Sequence, residues 1–242
     1  MNLMNLQTKL IGEIVADDFR TATVFKKYKI DFCCKGDRTI AEACEKKNIN
    51  PQKVYDDLAQ IPSTEIAEID FKSFPLDLLV DYVEKTHHRY VEEKIPILQA
   101  FLEKLCKVHG QRHPELLEIK TLFNKSAQDL SAHLKKEELI LFPFIRVMVN
   151  TKISGKPFVA APFGAVENPV NMMKHEHDTE GERFRKIATL TSDYTPPADA
   201  CSTYKVTYAM LEEFENDLHR HIHIENNILF PNAIKLESEL SN

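Results

Sequence analysis

A chain of 242 residues with a formal net charge of −6 is long enough for one large core, or a large core beside a small one. Its 31 Lys and Arg are scattered among 37 Asp and Glu rather than gathered into a stripe, which argues against nucleic acid and acidic membrane surfaces as partners. No apolar run approaches the ~18 residues of a membrane span, and Met1 to Gln7 holds no basic segment leading into an apolar one. The expectation is a soluble protein that stays in the cytoplasm.

Five cysteines, Cys33, Cys34, Cys44, Cys106 and Cys201, are an odd and scattered set unlike a disulfide framework, which fits a reducing compartment. Only 6 Gly together with long apolar patterns of helical period predict an all-α protein.

Residues 1–60 predict a small helical domain of short pieces: Leu10 to Ile14, Phe19 to Tyr28, Ile40 to Lys47 and Pro51 to Leu58. Asn50 is suited to cap the last of these, with Pro51 in its first turn. Between the second and third pieces, Asp31 to Asp37 predicts a tight polar turn with adjacent thiols at Cys33 and Cys34. Neighbouring Cα atoms lie about 3.8 Å apart, short of the roughly 4.4 Å a disulfide prefers, so a bond between them would be strained. Exposed thiols beside Lys35 suit reactivity or metal binding; two small apolar residues in a purely structural turn are the plainer reading. Residues 61–75, bracketed by prolines and without a long apolar period, predict a linker.

Residues 76–242 predict four long helices. The first runs from Leu76 to His109, is closed by Gly110 and is expected to bend at Pro96. Its stripe His88, Val91, Ile95, Leu98, Leu102, Leu105 points one histidine inward, but Leu76, Val80, Val83, His87 is an equally good stripe. Periodicity does not separate the two histidines. The second helix opens at His113-Pro114 and runs to about Asn150, with Pro143 loosening its last turns. Residues 151–168 predict a long connection of a kind that often covers a site. Asn168-Pro169 looks like the cap of a third helix, 169–191, whose stripe Val170, Met173, His177, Phe184, Ala188 is flanked at the histidine by Glu176 and Asp178. The fourth runs from Asp199 to Leu236.

Helices two and four each contain H-x-x-x-E-x-x-I-L-F-P, once from His133 to Pro143 and once from His221 to Pro231. Residues i and i+4 share a helix face, so each copy projects an imidazole and a carboxylate together. Both pairs fall on apolar stripes: Ile119, Phe123, Ser126, Leu130, His133, Glu137, Ile140, Phe144 in one, and Leu211, Phe214, Leu218, His221, Glu225, Ile228 in the other. A buried carboxylate without a partner costs several kcal/mol, so a buried cation is the simplest way to hold two of them. Buried His–Glu contacts between helices are the metal-free alternative.

An up-down four-helix bundle then gathers His88, His133, Glu137, His177, His221 and Glu225. Four imidazoles and two carboxylates overfill one metal site but suit two metals bridged by both carboxylates, with room for an oxo or hydroxo bridge and a small ligand. Mixed nitrogen and oxygen donors with open positions suit redox iron better than closed structural zinc, while affinity order leaves zinc and manganese as alternatives. The ferritin-like pattern, Glu-x-x-His with more carboxylates than histidines, fits less well. His219 and His223 are rotated to the far side of the helix from His221 and read as outward; His109 suits a helix C-terminus, and His113 and His175 the surface or a cap.

The paired motifs, Glu176-His177-Asp178, His88 eight residues before Pro96, and Asp31-Phe32-Cys33-Cys34 together resemble the bacterial repair-of-iron-centres proteins. These are hemerythrin-like di-iron proteins with a small cysteine-bearing N-terminal domain. The resemblance implies a cytoplasmic homodimer, responsive to stress, that restores iron–sulfur clusters damaged by nitric oxide or peroxide. It implies two non-haem irons held by His88, His133, His177 and His221 and bridged by Glu137 and Glu225, which selects His88 over His87. It also assigns Cys33 and Cys34 to the reaction, with damaged iron–sulfur proteins as partners. Rival expectations are a reversible oxygen or nitric oxide binding protein or sensor, a nitric oxide reductase, and a metal-free helical interaction module.

Overall fold

The computed structural model describes residues 6–62 and 69–241; residues 63–68 of the expected linker and residues 1–5 lie outside the described residues. Four short helices come first: α1 Ile11–Asp17, α2 Thr21–Lys27, α3 Ile40–Glu45 and α4 Pro51–Ala59. Their ends are set by local chemistry. Thr39 accepts a hydrogen bond from the Glu42 backbone while the Glu42 carboxylate accepts from the Thr39 N–H, and Asn50 accepts from Gln52 N at 2.9 Å with Pro51 in the first turn.

The remaining chain forms four rods, three of which are interrupted by a wide, π-helical turn. Rod one is α5 Leu76–Tyr82, a π turn Val83–His88, and α6 Arg89–His109; Pro96 sits inside α6 without ending it. Rod two is α7 Glu115–Lys136, a π turn Glu137–Leu141, and α8 Phe142–Ser154, closed by Gly155 at φ +61°. Rod three is the single helix α9 Glu167–Leu190, so Asn168 and Pro169 lie in its first turn instead of capping it. Rod four is α10 Ser202–Ile224, a π turn Glu225–Leu229, and α11 Phe230–Ser241.

Two of these π turns come just before Pro143 and Pro231. A proline ring would meet the carbonyl four residues back in a regular helix, and a widened turn moves that carbonyl aside. The turn at Val83–His88 has no proline two residues beyond it; Arg89 and Tyr90 follow. The extra residue in a π turn advances the helix by ~100°, and this shifts the stripes read from the sequence. Ile140, expected inward, is 48% exposed, and Leu141, Ile145 and Met148 take the buried positions instead. In rod one the same device lets both competing stripes be right, with His87 and His88 both buried.

Two apolar clusters fill the interior. One runs from α1–α4 through Leu98, Phe123, Phe184 and Phe214 and ends near Val91, Leu134 and Ile222; the other begins near Val83, Leu141, Met173 and Ile224. The inward histidines and glutamates form a polar layer between them. Below that layer the Phe214 ring packs against Phe123 at 5.5 Å and Phe184 at 5.6 Å between centroids. Truncating Phe214 to Ala is expected to cost ~3–5 kcal/mol in chemical denaturation; a loss below ~1 kcal/mol would mean that the bundle does not depend on this layer.

The short helices pack on rod four, and this corrects the outward placement of His219 and His223. Both rings do leave the bundle interior, but they meet Phe32 at 6.0 Å, and His223 meets Phe19 at 5.8 Å. Burial pushes His219 down to about 4 and His223 down to about 3, so both are neutral, and His223 Nδ1 faces Asn227 Nδ2 at 3.0 Å. Residues 155–166 do not cover the polar layer. Their Phe158 and Phe163 pack on Phe144, against the second apolar cluster.

Candidate metal centre

The structure brings His88, His133, Glu137, His177, His221 and Glu225 together, each at most 3% exposed. They form two overlapping groups that share both carboxylates: His88, Glu137, His221, Glu225 and His133, Glu137, His177, Glu225, with donor atoms in each group within 4.8 Å of one another. Three of the six sit at π turns, where His88 closes one and Glu137 and Glu225 each open one.

Ring tautomers follow from the outer hydrogen bonds. His88 Nδ1 lies 3.1 Å from Glu138 Oε1, His133 Nδ1 lies 2.8 Å from Glu176 Oε2, and His177 Nδ1 lies 2.9 Å from Asn226 Oδ1. Each partner oxygen accepts the Nδ1 proton, which leaves Nε2 as the ring atom that faces inward. There the Nε2 atoms meet only one another and carboxylate oxygens. His177 Nε2 faces His133 Nε2 at 3.1 Å; Glu137 Oε2 lies 3.4 Å from both His88 Nε2 and His133 Nε2; Glu225 lies 3.2 Å from His177 Nε2 and 3.0 Å from His221 Nε2. Among the described residues, His88 Nε2, both Glu137 oxygens and Glu225 Oε2 have no hydrogen-bond partner. A buried convergence of imidazole nitrogens and carboxylate oxygens, four of them unpartnered, is what cations stabilise, and imidazole with carboxylate is a donor set that fits iron.

The electrostatics of the protein alone point the same way. Burial, reinforced by the Glu225 charge, pushes Glu137 up to about 8. Burial would raise Glu225 too, but His221 and His177 hold it well below the usual carboxylate range. Burial opposes the charge on His177, yet its hydrogen bond to Glu225 and the charges of Glu225 and Glu137 carry it up to about 9. Burial pushes His221 down. Protons on Glu137 and His177 thus stand where a bound cation would displace them.

Sequence reasoning anticipated Glu176 as an outer carboxylate, and the His133 hydrogen bond with Lys136 beside it holds that group down to about 2. Asp178 makes no corresponding bond to His177. Glu138 and Asn226 were missed, although each directly follows one of the two glutamates. His87 lies outside both groups; its Nδ1 is 2.9 Å from Asp217 Oδ1, and its ring stacks on His221 at 5.4 Å.

Cys33 and Cys34 are not exposed thiols, because their turn is folded against the back of this centre. Cys33 is 3% exposed and Cys34 half-buried; both are free, with Sγ atoms 3.8 Å apart. Asp31 Oδ1 accepts from the backbone N–H groups of Cys33 at 3.1 Å and Cys34 at 2.9 Å, shaping the turn, and Arg185 holds the other oxygen at 3.0 Å. The Cys34 contact, burial and Asp31 push Cys33 well up, so it stays a thiol. Lys35, next to the pair in sequence, is directed to Glu182.

A helical bundle presenting His and Glu pairs inward belongs to a recognised class: residues 80–233 match the hemerythrin HHE cation binding domain, and residues 7–61 match a domain of unknown function (DUF542). The iron-sulfur cluster repair protein YtfE of Musicola paradisiaca is 32% identical over 97% of this chain and 100% of its own length. YtfE of Escherichia coli O17:K52:H18 is 32% identical over 93% of this chain and 96% of that protein. The repair protein ScdA of Staphylococcus haemolyticus is 29% identical over 91% and 96%. The chain belongs to this family of hemerythrin-like iron-sulfur cluster repair proteins. No described helix is long and apolar enough to cross a membrane.

Proposed function

We propose that the polar layer holds two non-haem irons and that the protein gives up iron to iron–sulfur clusters damaged by nitrosative or oxidative stress. The observation that carries this reading is the enclosure of four imidazole Nε2 atoms and two carboxylates, with His88 Nε2, both Glu137 oxygens and Glu225 Oε2 left without a hydrogen-bond partner among the described residues. His88, His221, Glu137 and Glu225 would hold one ion, and His133, His177 and the same two glutamates the other. Bound there, the iron pair supplies ferrous–ferric redox chemistry and exchangeable metal. The chain's own residues fix the imidazole tautomers through Glu138, Glu176 and Asn226, and exclude water with Phe142 over His88 and Phe230 over His177. The names of the relatives support damaged iron–sulfur proteins as targets. With this reading go a cytoplasmic location and a homodimer.

Cys33 and Cys34 are proposed to take part in transfer. Replacing both with Ala is expected to leave iron content unchanged and to lower reactivation of a damaged cluster enzyme several-fold; unchanged reactivation would remove the thiols from the mechanism. Following nitrous oxide and iron release after nitric oxide is added to the ferrous form separates donation from the rivals. Donation predicts iron loss without catalytic nitrous oxide. Sustained nitrous oxide production marks a reductase, and a stable adduct with no iron loss marks a sensor.

A further inference from the structure

The two halves of the polar layer are built differently. Each half has a ring stacked on one histidine, Phe142 on His88 at 5.5 Å and Phe230 on His177 at 6.0 Å, but the second histidine of the first half, His221, is also covered, by His87. His133 and His177 instead line a cavity of about 300 Å³, together with Lys136, His175 and Glu176. The same half is the one the cysteine turn touches. Cys34 Sγ donates to the backbone carbonyl of His177 at 3.4 Å. Asn226 joins the two from the other side, accepting from His177 Nδ1 at 2.9 Å and donating through Nδ2 to Cys33 O at 3.2 Å.

That contact is closely fitted. A Cβ on Gly181 would lie 3.3 Å from Cys34 Sγ, and one on Gly12 would lie 2.3 Å from Asn227 Oδ1. Asn227 in turn donates to Phe32 O and Cys33 O, each at 3.4 Å. A side chain on Gly181 would crowd Cys34 Sγ, and one on Gly12 would displace the Asn227 amide that holds the turn. Asn226 is 8% exposed, and both ends of its amide are used across the junction.

We propose that Asn226 is a positioning residue that ties the cysteine turn to His177, so that the seating of the turn sets how firmly the His133–His177 half holds its metal, and that this half is the one that gives up iron. The inference rests on the donation reading for its use, but it concerns the inequivalence of the two halves and the coupling across Asn226, both measurable apart from repair. His177 loses its outer acceptor when Asn226 is replaced, and loss of such a partner weakens metal affinity by roughly 10–100-fold.

The test challenges the iron-loaded protein with a ferrous-iron chelator such as ferrozine. Wild type is expected to release iron in two phases of equal amplitude. Asn226→Ala is expected to speed the fast phase by ~10–100-fold and leave the slow one unchanged. In the metal-free protein it should also speed maleimide labelling of Cys34, a readout independent of iron. Asn226→Asp keeps an acceptor for His177 but cannot donate to Cys33 O, so its fast phase should stay near wild type while Cys34 labelling quickens. Gly181→Ala, which crowds Cys34 without touching Asn226, should speed the fast phase in wild type and have no added effect in Asn226→Ala. If Asn226→Ala does not fold, Asn226→Asp and Gly181→Ala carry the test. A single release phase, equal acceleration of both phases, or a Gly181→Ala effect of the same size in both backgrounds would overturn the proposal. If the phases behave as expected but the released iron does not restore a damaged cluster enzyme, donation fails and the coupling stands.

Discussion

Glu137→Gln is expected to abolish stoichiometric metal binding while leaving the metal-free bundle folded. Glu137 has no exposed surface and both oxygens lack hydrogen-bond partners, so it contributes nothing to the metal-free fold that an isosteric amide removes. It belongs to both donor groups, and losing it should weaken both ions by more than the ~100-fold typical of an outer partner. Elemental analysis of the variant should give well under one metal per chain. Metal content equal to wild type would mean that Glu137 is not a ligand, and an unfolded variant would mean that its role is structural.

The second large effect is a pH dependence that reverses sign with loading. In the metal-free protein Glu137 is raised from 4.5 to about 8 and His177 from 6.5 to about 9, so the folded state binds more protons than the unfolded chain across that interval. The stability His177 contributes is fully present below pH ~6.5 and lost as pH rises through ~9, and the cost of ionising buried Glu137 accumulates from pH ~4.5 and is complete above ~8. Below pH ~6.5 the lowered His219, His221 and His223 must all be charged on unfolding, which outweighs the opposing contribution of Glu137, and stability falls in that direction as well. Metal-free protein should therefore be most stable near neutrality and lose on the order of a few kcal/mol towards pH 9. Metal uptake at pH 7 displaces the protons on Glu137 and His177, so loading should acidify an unbuffered solution and loaded protein should lose metal on acidification. Calorimetry of metal-free protein at pH 6.5 and 9, with proton release followed on adding ferrous iron, checks both. Stability that rises over that interval, or uptake without proton release, would contradict this assignment of protons.

Much of the site was legible because the same i,i+4 pair recurs on two apolar stripes, and a charged pair in such a place needs an explanation that scattered surface charges do not. His133, Glu137, His221 and Glu225 came from that pattern alone. His88 did not, because a fixed 3.6-residue period assumes a uniform helix, whereas the π turn at Val83–His88 buries His87 as well. The same assumption misplaced Ile140. His219 and His223 were read correctly as leaving the bundle but not as covered, since helical periodicity says nothing about which other element lies against the opposite face. Asn226 was invisible for a related reason. A polar residue beside a ligand looks like surface decoration until the cysteine turn, 193 residues away in sequence, is seen to rest on it.

The claim on which everything above depends is that two cations occupy this layer. Anomalous scattering from crystals of the protein, recorded on either side of the iron absorption edge, locates them directly. Two iron peaks per chain are expected, one among His88, His221 and the two glutamates and one among His133, His177 and the same glutamates. A single peak, peaks elsewhere, or a layer closed by protons alone would contradict it.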